Sequence, residues 1–239
     1  MAWSTLAISE KALLIYEPPI AARSGVLFLL DESPPPFLDP DFRSFVEASP
    51  YLWFFAFPEK SWWSSRFVPG FHPNRTPEGF ILGDCLEEFR KRLLGGSILL
   101  AGVGCGGQAV LRCCFQDPTR FPAVAVIDAA VDLFEVYGQG FTLDSIYPSQ
   151  EHLRQQSPYL FLQNYPYPES VWLAVSPDSF WHRGNDRLLE KLKVLGVSCE
   201  LELFSGLPSE AGWFQKPLKD SFQKFLDHHL SQPARLHLL

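Results

Sequence analysis

The sequence predicts an α/β protein built on a mostly parallel sheet with helices on both faces. Short apolar runs alternate with segments of helical periodicity, which is the pattern of successive β–α–β units. Two of these runs, residues 25–30 and 51–57, are apolar throughout, as expected of strands that are covered on both faces. The 239 residues contain neither an internal repeat nor a low-complexity linker. We therefore expect a single domain over residues 1–239.

The remaining elements follow from local signals in chain order. A helix begins after Thr76, because Pro77 suits its first position, and it ends before Gly95 and Gly96. Residues 128–168 are the least regular part, and we expect them to form a cap-like segment over the sheet. The other predicted strands are 97–101, 123–127, 171–175 and 199–203, and the other predicted helices are 108–115, 185–195 and 214–230.

Composition narrows the class of partner. A net charge of −7 without any basic block argues against nucleic acid as a main partner. No apolar run reaches the roughly 18 residues of a membrane span, and no basic segment precedes an apolar stretch at the N-terminus. The five cysteines lack C-x-x-C or metal-ligand spacing, so we expect free thiols, a cytoplasmic location and no cofactor. The oligomeric state is left open.

A glycine-rich turn joins the strand 97–101 to the helix 108–115. It matches G-x-G-x-x-G at Gly102, Gly104 and Gly107. Such a turn is typical of phosphate binding at a helix N-terminus or of a nucleophile elbow, and it also occurs simply where glycines permit close packing. Asp128 follows the next strand at about the spacing of the acid that binds a dinucleotide ribose, so spacing alone does not remove the nucleotide-binding interpretation.

Motifs spread over residues 25–226 resemble the esterase D-like branch of the α/β-hydrolase superfamily, which includes S-formylglutathione hydrolase relatives. The resemblance implies the α/β-hydrolase fold and, for an intact member, serine esterase activity. The matching residues are Ser61-Trp62-Trp63, Gly102-Val103, Gly106-Gly107-Gln108-Ala109, Leu111-Arg112, Phe121-Pro122-Ala123-Val124-Ala125, Tyr137-Gly138, Gly140, Leu143-Asp144, Tyr147, Arg183-Gly184-Asn185-Asp186-Arg187-Leu188 and Glu190-Lys191-Leu192.

The catalytic positions implied by this resemblance are degenerate. Where the family has G-x-S-x-G, the nucleophile position is Gly104, and glycine has no side chain with which to form an acyl-enzyme. We expect this glycine to relax the strain of the turn. The acid position falls at Asp178, and the family's histidine motif corresponds to residues 205–213, which contain no histidine. His182 is the histidine nearest in sequence to the acid position.

The oxyanion hole of such an esterase would use the backbone N–H of Cys105 and a donor from the loop after Leu30. That loop begins with Asp31 and Glu32 and continues into prolines 34–36, which is unfavourable for an oxyanion because carboxylates repel it and prolines lack N–H groups.

The sequence thus predicts a non-catalytic esterase homologue that keeps a pocket for a small molecule. The predicted lining of the pocket is Trp62, Trp63, Trp181 and Trp213, although aromatic residues more often serve core packing. Two alternatives stay open: an ester hydrolase that uses Cys105 as nucleophile, and a nucleotide-binding protein.

Overall fold

Eight strands form one sheet in the computed structural model, which describes residues 2–31, 35, 39–163 and 165–231. Their spatial order is β1-β2-β4-β3-β5-β6-β7-β8. The pairs β1/β2 and β2/β4 are antiparallel, and all the other pairs are parallel. The strands are β1 (Ala2–Ile8), β2 (Lys11–Glu17), β3 (Gly25–Leu29), β4 (Leu52–Ala56), β5 (Ile98–Val103), β6 (Ala123–Ile127), β7 (Ser170–Val175) and β8 (Ser198–Leu203).

Helices cover both faces of this sheet. The longer ones are α1 (Pro40–Ala48), α4 (Cys105–Gln116), α7 (His182–Leu195) and α8 (Lys216–Leu230). Between Pro77 and Lys91 the chain forms α2 (Pro77–Phe80), a π-helical turn (Ile81–Cys85) and α3 (Leu86–Lys91). The shorter elements are α5 (Leu143–Ile146), α6 (Gln150–Arg154) and the 3₁₀ turns Leu133–Val136 and Pro158–Leu160.

The sheet separates two hydrophobic clusters because alternate residues of each strand point to opposite faces. In β3, Leu27 and Leu29 belong to the cluster that includes residues of α3, α4 and α7, whereas Val26 and Phe28 belong to the cluster that includes residues of α1 and α8. These strands are buried on both faces, which explains their continuous apolar runs. The predicted architecture, a mostly parallel sheet with helices on both faces, is confirmed.

Two parts of the fold were not predicted. The hairpin of β1 and β2 was missed because β1 is largely exposed and lacks a continuous apolar run. Helix α1 was missed although Asp39 caps it and Pro40 occupies its first turn, since the surrounding prolines indicated only a loop. Within the residues that the structure describes, no helix is both long and apolar enough to span a membrane.

The segment 128–168 consists of turns and short helices, as its irregular sequence indicated. Its described residues pack against the loop after β4 and against α4. The hydroxyls of Ser64 and Tyr147 are 2.9 Å apart, and Gln108 donates to the carbonyl of Gln156 at 3.2 Å. The division of the chain into one domain with a cap-like segment stays a prediction.

A buried arginine holds α4 against its neighbours. Arg112 is fully buried and its guanidinium pairs with Glu78 of α2. It also donates to the carbonyl of Trp63 at 2.6 Å and to the side chain of Gln108 at 3.3 Å. Because each charge is neutralised and hydrogen-bonded, this network stabilises the position of α4 at the strand ends.

We expect Glu78→Gln to lower the free energy of unfolding by about 3 kcal/mol, because it leaves the Arg112 charge buried without its counter-ion. Urea denaturation measures the change. The matched control is Glu87→Gln, because the ion pair of Glu87 with Lys91 is exposed and is screened by solvent. Equal effects of the two substitutions would contradict a special role for the buried pair.

Candidate functional site

Three neighbouring parallel strands end at one level and bring three residues together. Leu29 of β3 pairs with Gly102 of β5, and Val103 of β5 pairs with Ile127 of β6. Gly104 directly follows Val103, and Asp128 directly follows Ile127. Asp31 follows Leu29 with one residue, Leu30, between them. Since β5 lies between β3 and β6, the two aspartates flank Gly104 from opposite sides. The carboxyl edge of a parallel sheet is where ligands bind in this class of fold.

The turn after β5 keeps a sharp, left-handed backbone. Gly104 has φ 54° and ψ −120°, and its N–H donates to the carbonyl of Ile127 at 3.1 Å. Glycine adopts this unusual conformation at low steric cost, so the turn keeps its shape without the strain that a side chain would add. Close packing needs glycine at Gly106 as well, because a Cβ there would lie 2.1 Å from the carbonyl oxygen of Leu29. Helix α4 accordingly begins at Cys105, three residues before its predicted start.

The carboxylate of Asp31 fills the space that a side chain at position 104 would occupy. A Cβ built on Gly104 would lie 2.3 Å from Oδ2 of Asp31 and 2.4 Å from its carboxyl carbon. The other oxygen, Oδ1, accepts a hydrogen bond from the backbone N–H of Cys105 at 3.3 Å. That N–H is the donor which the esterase resemblance assigns to an oxyanion. An aspartate of the chain itself thus takes both the space beside Gly104 and the hydrogen bond of the Cys105 N–H.

Asp128 lies on the other side of the turn in an unusual environment. It is 5% exposed and has φ 49°, and no described residue forms a hydrogen bond with its Oδ1. Burial raises the pKa of Asp128 to about 6, although hydrogen bonds from the Ser179 hydroxyl and the Ser176 backbone oppose this shift. The charge of Asp31 raises the same pKa further, and His182 lowers it. Asp128 is therefore a poorly compensated buried acid.

A small cavity opens at this edge of the sheet, with a volume of about 160 Å³. Both aspartates line it, together with the Gly104 turn. Its apolar wall comes from the loops that follow β7 and β8. The described lining residues are Asp31, Val103, Gly104, Asp128, Ser179, Phe180, Trp181, Leu207, Pro208 and Ser209.

Only Trp181 of the four predicted tryptophans lines this cavity. The other three tryptophans lie outside the described lining, which differs from the prediction, because their side chains are buried in packing contacts. Trp63 is fully buried and donates to the carbonyl of Leu30 at 2.8 Å. Trp213 stacks on Phe42 of α1, with ring centroids 5.8 Å apart. Trp62 is also buried, with φ 50°.

The predicted polar site residues are likewise spread apart. Asp178 is an exposed turn residue outside the described lining, and its N–H donates to the hydroxyl of Ser176 at 3.3 Å. The thiol of Cys105 is buried and lies 3.8 Å from the carbonyl oxygen of Leu30, away from the cavity. Of the acidic, Pro-rich loop, residues 32–34 and 36 lie outside the described residues.

The sequence interpretation did not assign Asp31 and Asp128 to a shared site. Each follows an apolar strand directly, and the carboxyl ends of neighbouring parallel strands meet at one edge. That signal was present for both residues. Asp128 was instead considered as a ribose ligand, and Asp31 as an obstacle to an oxyanion.

The site does not favour the nucleotide-binding alternative. Two carboxylates stand at the N-terminus of α4, where a phosphate would have to bind, and like charges repel. The glycines of the turn are accounted for by packing, as the contacts at Gly106 show. Among the described residues, no group of three or more His, Cys, Asp and Glu side chains could hold a metal ion.

Comparison with solved structures gives the fold. The Staphylococcus aureus serine hydrolase FphF, described as fluorophosphonate-binding, is similar over 94% of this chain and 98% of its own, with a TM-score of 0.76 and 12% identity. An S-formylglutathione hydrolase from the same organism, FrmB, has a TM-score of 0.75 at 11% identity, over 94% of this chain and 98% of its own. A ferulic acid esterase has a TM-score of 0.69 at 14% identity, over 96% and 97% of the two chains. No family model and no curated sequence matches the chain.

These similarities identify the fold as that of the α/β-hydrolases, in agreement with the resemblance that the sequence motifs indicated. The strand order and the helix that begins at the β5 turn are the structural basis for this assignment.

We expect Gly104→Ala to lower the free energy of unfolding by about 2 to 4 kcal/mol, because the new methyl group meets Asp31 and the backbone has a positive φ. In an Asp31→Ala background the cost should fall to about 1 to 2 kcal/mol, the contribution of the backbone alone. Urea denaturation of both single variants and the double variant gives this coupling. Gly138→Ala is the control, since its φ is +83° with nothing described within 4 Å. Strict additivity would show that Asp31 does not fill the position.

Stability should also depend on the protonation of Asp128. A carboxyl whose pKa is raised from 3.8 to about 6 on folding binds its proton more tightly in the folded state. Its contribution to stability is therefore present at low pH and is lost as pH rises through about 6. Relative to Asp128→Asn, the wild type should lose about 2 to 3 kcal/mol between about pH 4 and pH 7. Urea denaturation across this range measures the loss. Exposed Asp178→Asn should show no such difference from wild type.

Proposed function

We propose that this chain is a non-catalytic esterase-type α/β-hydrolase homologue that uses the cavity at the β5 turn to bind a small molecule. The observation that carries the proposal is the carboxylate of Asp31, which stands where a nucleophile side chain at position 104 would lie. Position 104 is glycine, so the serine of an esterase is missing. The carboxylate of Asp31 takes the space of that side chain and also accepts a hydrogen bond from the Cys105 N–H.

The absence of a suitable base supports the same proposal. The loop after β8 contributes Leu207, Pro208 and Ser209 to the cavity, and no residue between 204 and 213 is a histidine. His182 begins α7, where it lies 3.3 Å from Asp186 and is outside the described lining. In serine esterases a histidine removes the proton of the nucleophile, and the described lining residues around position 104 include no histidine.

The alternative with Cys105 as nucleophile is not favoured by the geometry. A nucleophilic thiol needs access to the substrate and a neighbouring group that stabilises its thiolate. The Cys105 side chain is fully buried beneath the turn, with its sulfur close to a backbone carbonyl. A carbonyl oxygen repels a thiolate, so this environment opposes activation.

The test is hydrolysis of short-chain p-nitrophenyl esters together with labelling by a fluorophosphonate probe. We expect neither from the wild type, from Cys105→Ala or from Gly104→Ser. Gly104→Ser should stay inactive because its new side chain meets Asp31 and has no histidine to take its proton. The double variant Gly104→Ser with Asp31→Ala separates these two causes: labelling would show that Asp31 was the obstacle, whereas unchanged inactivity would show that the missing base alone prevents reaction.

Wild-type hydrolysis that co-purifies with the protein would overturn the proposal. If Cys105→Ala then abolished that activity, the nucleophile would be the thiol.

A further inference from the structure

We propose that the cavity at the β5 turn binds a small organic cation with a primary ammonium group, held between the carboxylates of Asp31 and Asp128. The inference rests on the proposed function, since it names the class of ligand that a non-hydrolytic site would take. It uses neither a nucleophile nor a catalytic base.

The charge of the cavity points to a cation. Its described lining contains two aspartates and neither lysine, arginine nor histidine. The two acids are near enough for the charge of Asp31 to act on Asp128. A positive group between them would neutralise both, whereas an anion or an ester carbonyl oxygen would be repelled.

The hydrogen-bonding state of Asp128 is a second and independent observation. Asp128 is 5% exposed and lines the cavity, yet its Oδ1 has no hydrogen-bond partner among the residues that the structure describes. A buried carboxylate oxygen normally accepts at least one hydrogen bond. A primary ammonium supplies three N–H donors, so one group can satisfy Asp128 and still reach Asp31. A quaternary ammonium has the charge but lacks the donors.

The size and the walls of the cavity limit the rest of the ligand. A cavity of about 150 Å³ accommodates a benzene-sized molecule, and this one measures about 160 Å³. Phe180 and Trp181, whose rings meet edge to face at 4.8 Å, form an apolar wall with Leu207 and Pro208. The ligand therefore combines one ammonium group with a small apolar body, and benzylamine has these dimensions.

Isothermal titration of the full chain with benzylamine at about pH 8 tests the proposal. Benzyl alcohol and benzoate are the matched ligands, since they keep the ring and replace the positive group with a neutral or a negative one. We expect saturable binding of benzylamine, and binding at least about tenfold weaker for benzyl alcohol, benzoate and benzyltrimethylammonium.

Substitution of each aspartate tests whether benzylamine binds between them. Asp128→Asn and Asp31→Asn should each weaken benzylamine binding at least about tenfold, and the control Asp178→Asn should leave it unchanged. Binding should also weaken from about pH 8 to pH 5, because Asp128, whose pKa is raised to about 6, gains a proton; Asp31 and His182 are the charged or titratable groups that act on Asp128. If Asp128→Asn fails to fold, Asp31→Asn and the ligand comparison on wild-type protein decide.

Three results would overturn the inference: no heat of binding at millimolar benzylamine, equal binding of benzyl alcohol, or binding that Asp31→Asn and Asp128→Asn leave intact. Displacement of benzylamine by calcium or zinc at equimolar concentration would overturn it too, because the site would then be a metal site. The ester assay is separate. Hydrolysis would refute the proposed function, whereas absent amine binding without hydrolysis would refute only this inference.

Discussion

The alignment of β3, β5 and β6 is the constraint on which the site depends. Parallel pairing fixes Leu29 beside Gly102 and Val103 beside Ile127, so the residues that follow these strands must meet at one edge. A shift of the register between β3 and β5 by one residue would turn the Asp31 side chain to another face. Backbone hydrogen bonds thus place the two carboxylates, without any direct bond between them.

The glycines around the β5 turn make that alignment compatible with close packing. Gly102 and Gly106 approach each other, and a Cβ on Gly102 would lie 2.6 Å from the carbonyl carbon of Gly106. Gly106 in turn faces the carbonyl of Leu29, so β3 and the start of α4 are nearly in backbone contact. The sharp turn after β5 is thus the packing solution for this corner of the fold, and it does not depend on a side chain at position 104.

The sequence predicted the parts of the fold that have strong local signals. The strand 123–127 matches β6 in both bounds because five apolar residues stand between Pro122 and Asp128. That position 104 carries no side chain could also be predicted, because it follows from the identity of one residue in a short motif. The position of Asp31 could not, because it depends on pairing between residues 74 apart in the chain. Nor was the burial of Trp63 and Trp213 readable, since composition does not distinguish an aromatic of the core from one of a pocket.

Asp31 acts as an intramolecular competitor at the N-terminus of α4. Its carboxylate is tethered to β3 next to the Cys105 N–H, so any free anion that approaches this donor competes with a group at high effective concentration. For short flexible links such effective concentrations are about millimolar or higher. The link to Asp31 is short, because the neighbouring Leu30 N–H donates to the carbonyl of Ala56 at the end of the strand. The affinity of an external carboxylate or boronate for the turn is therefore reduced by the free energy needed to displace Asp31. The turn is thus self-inhibited toward anions.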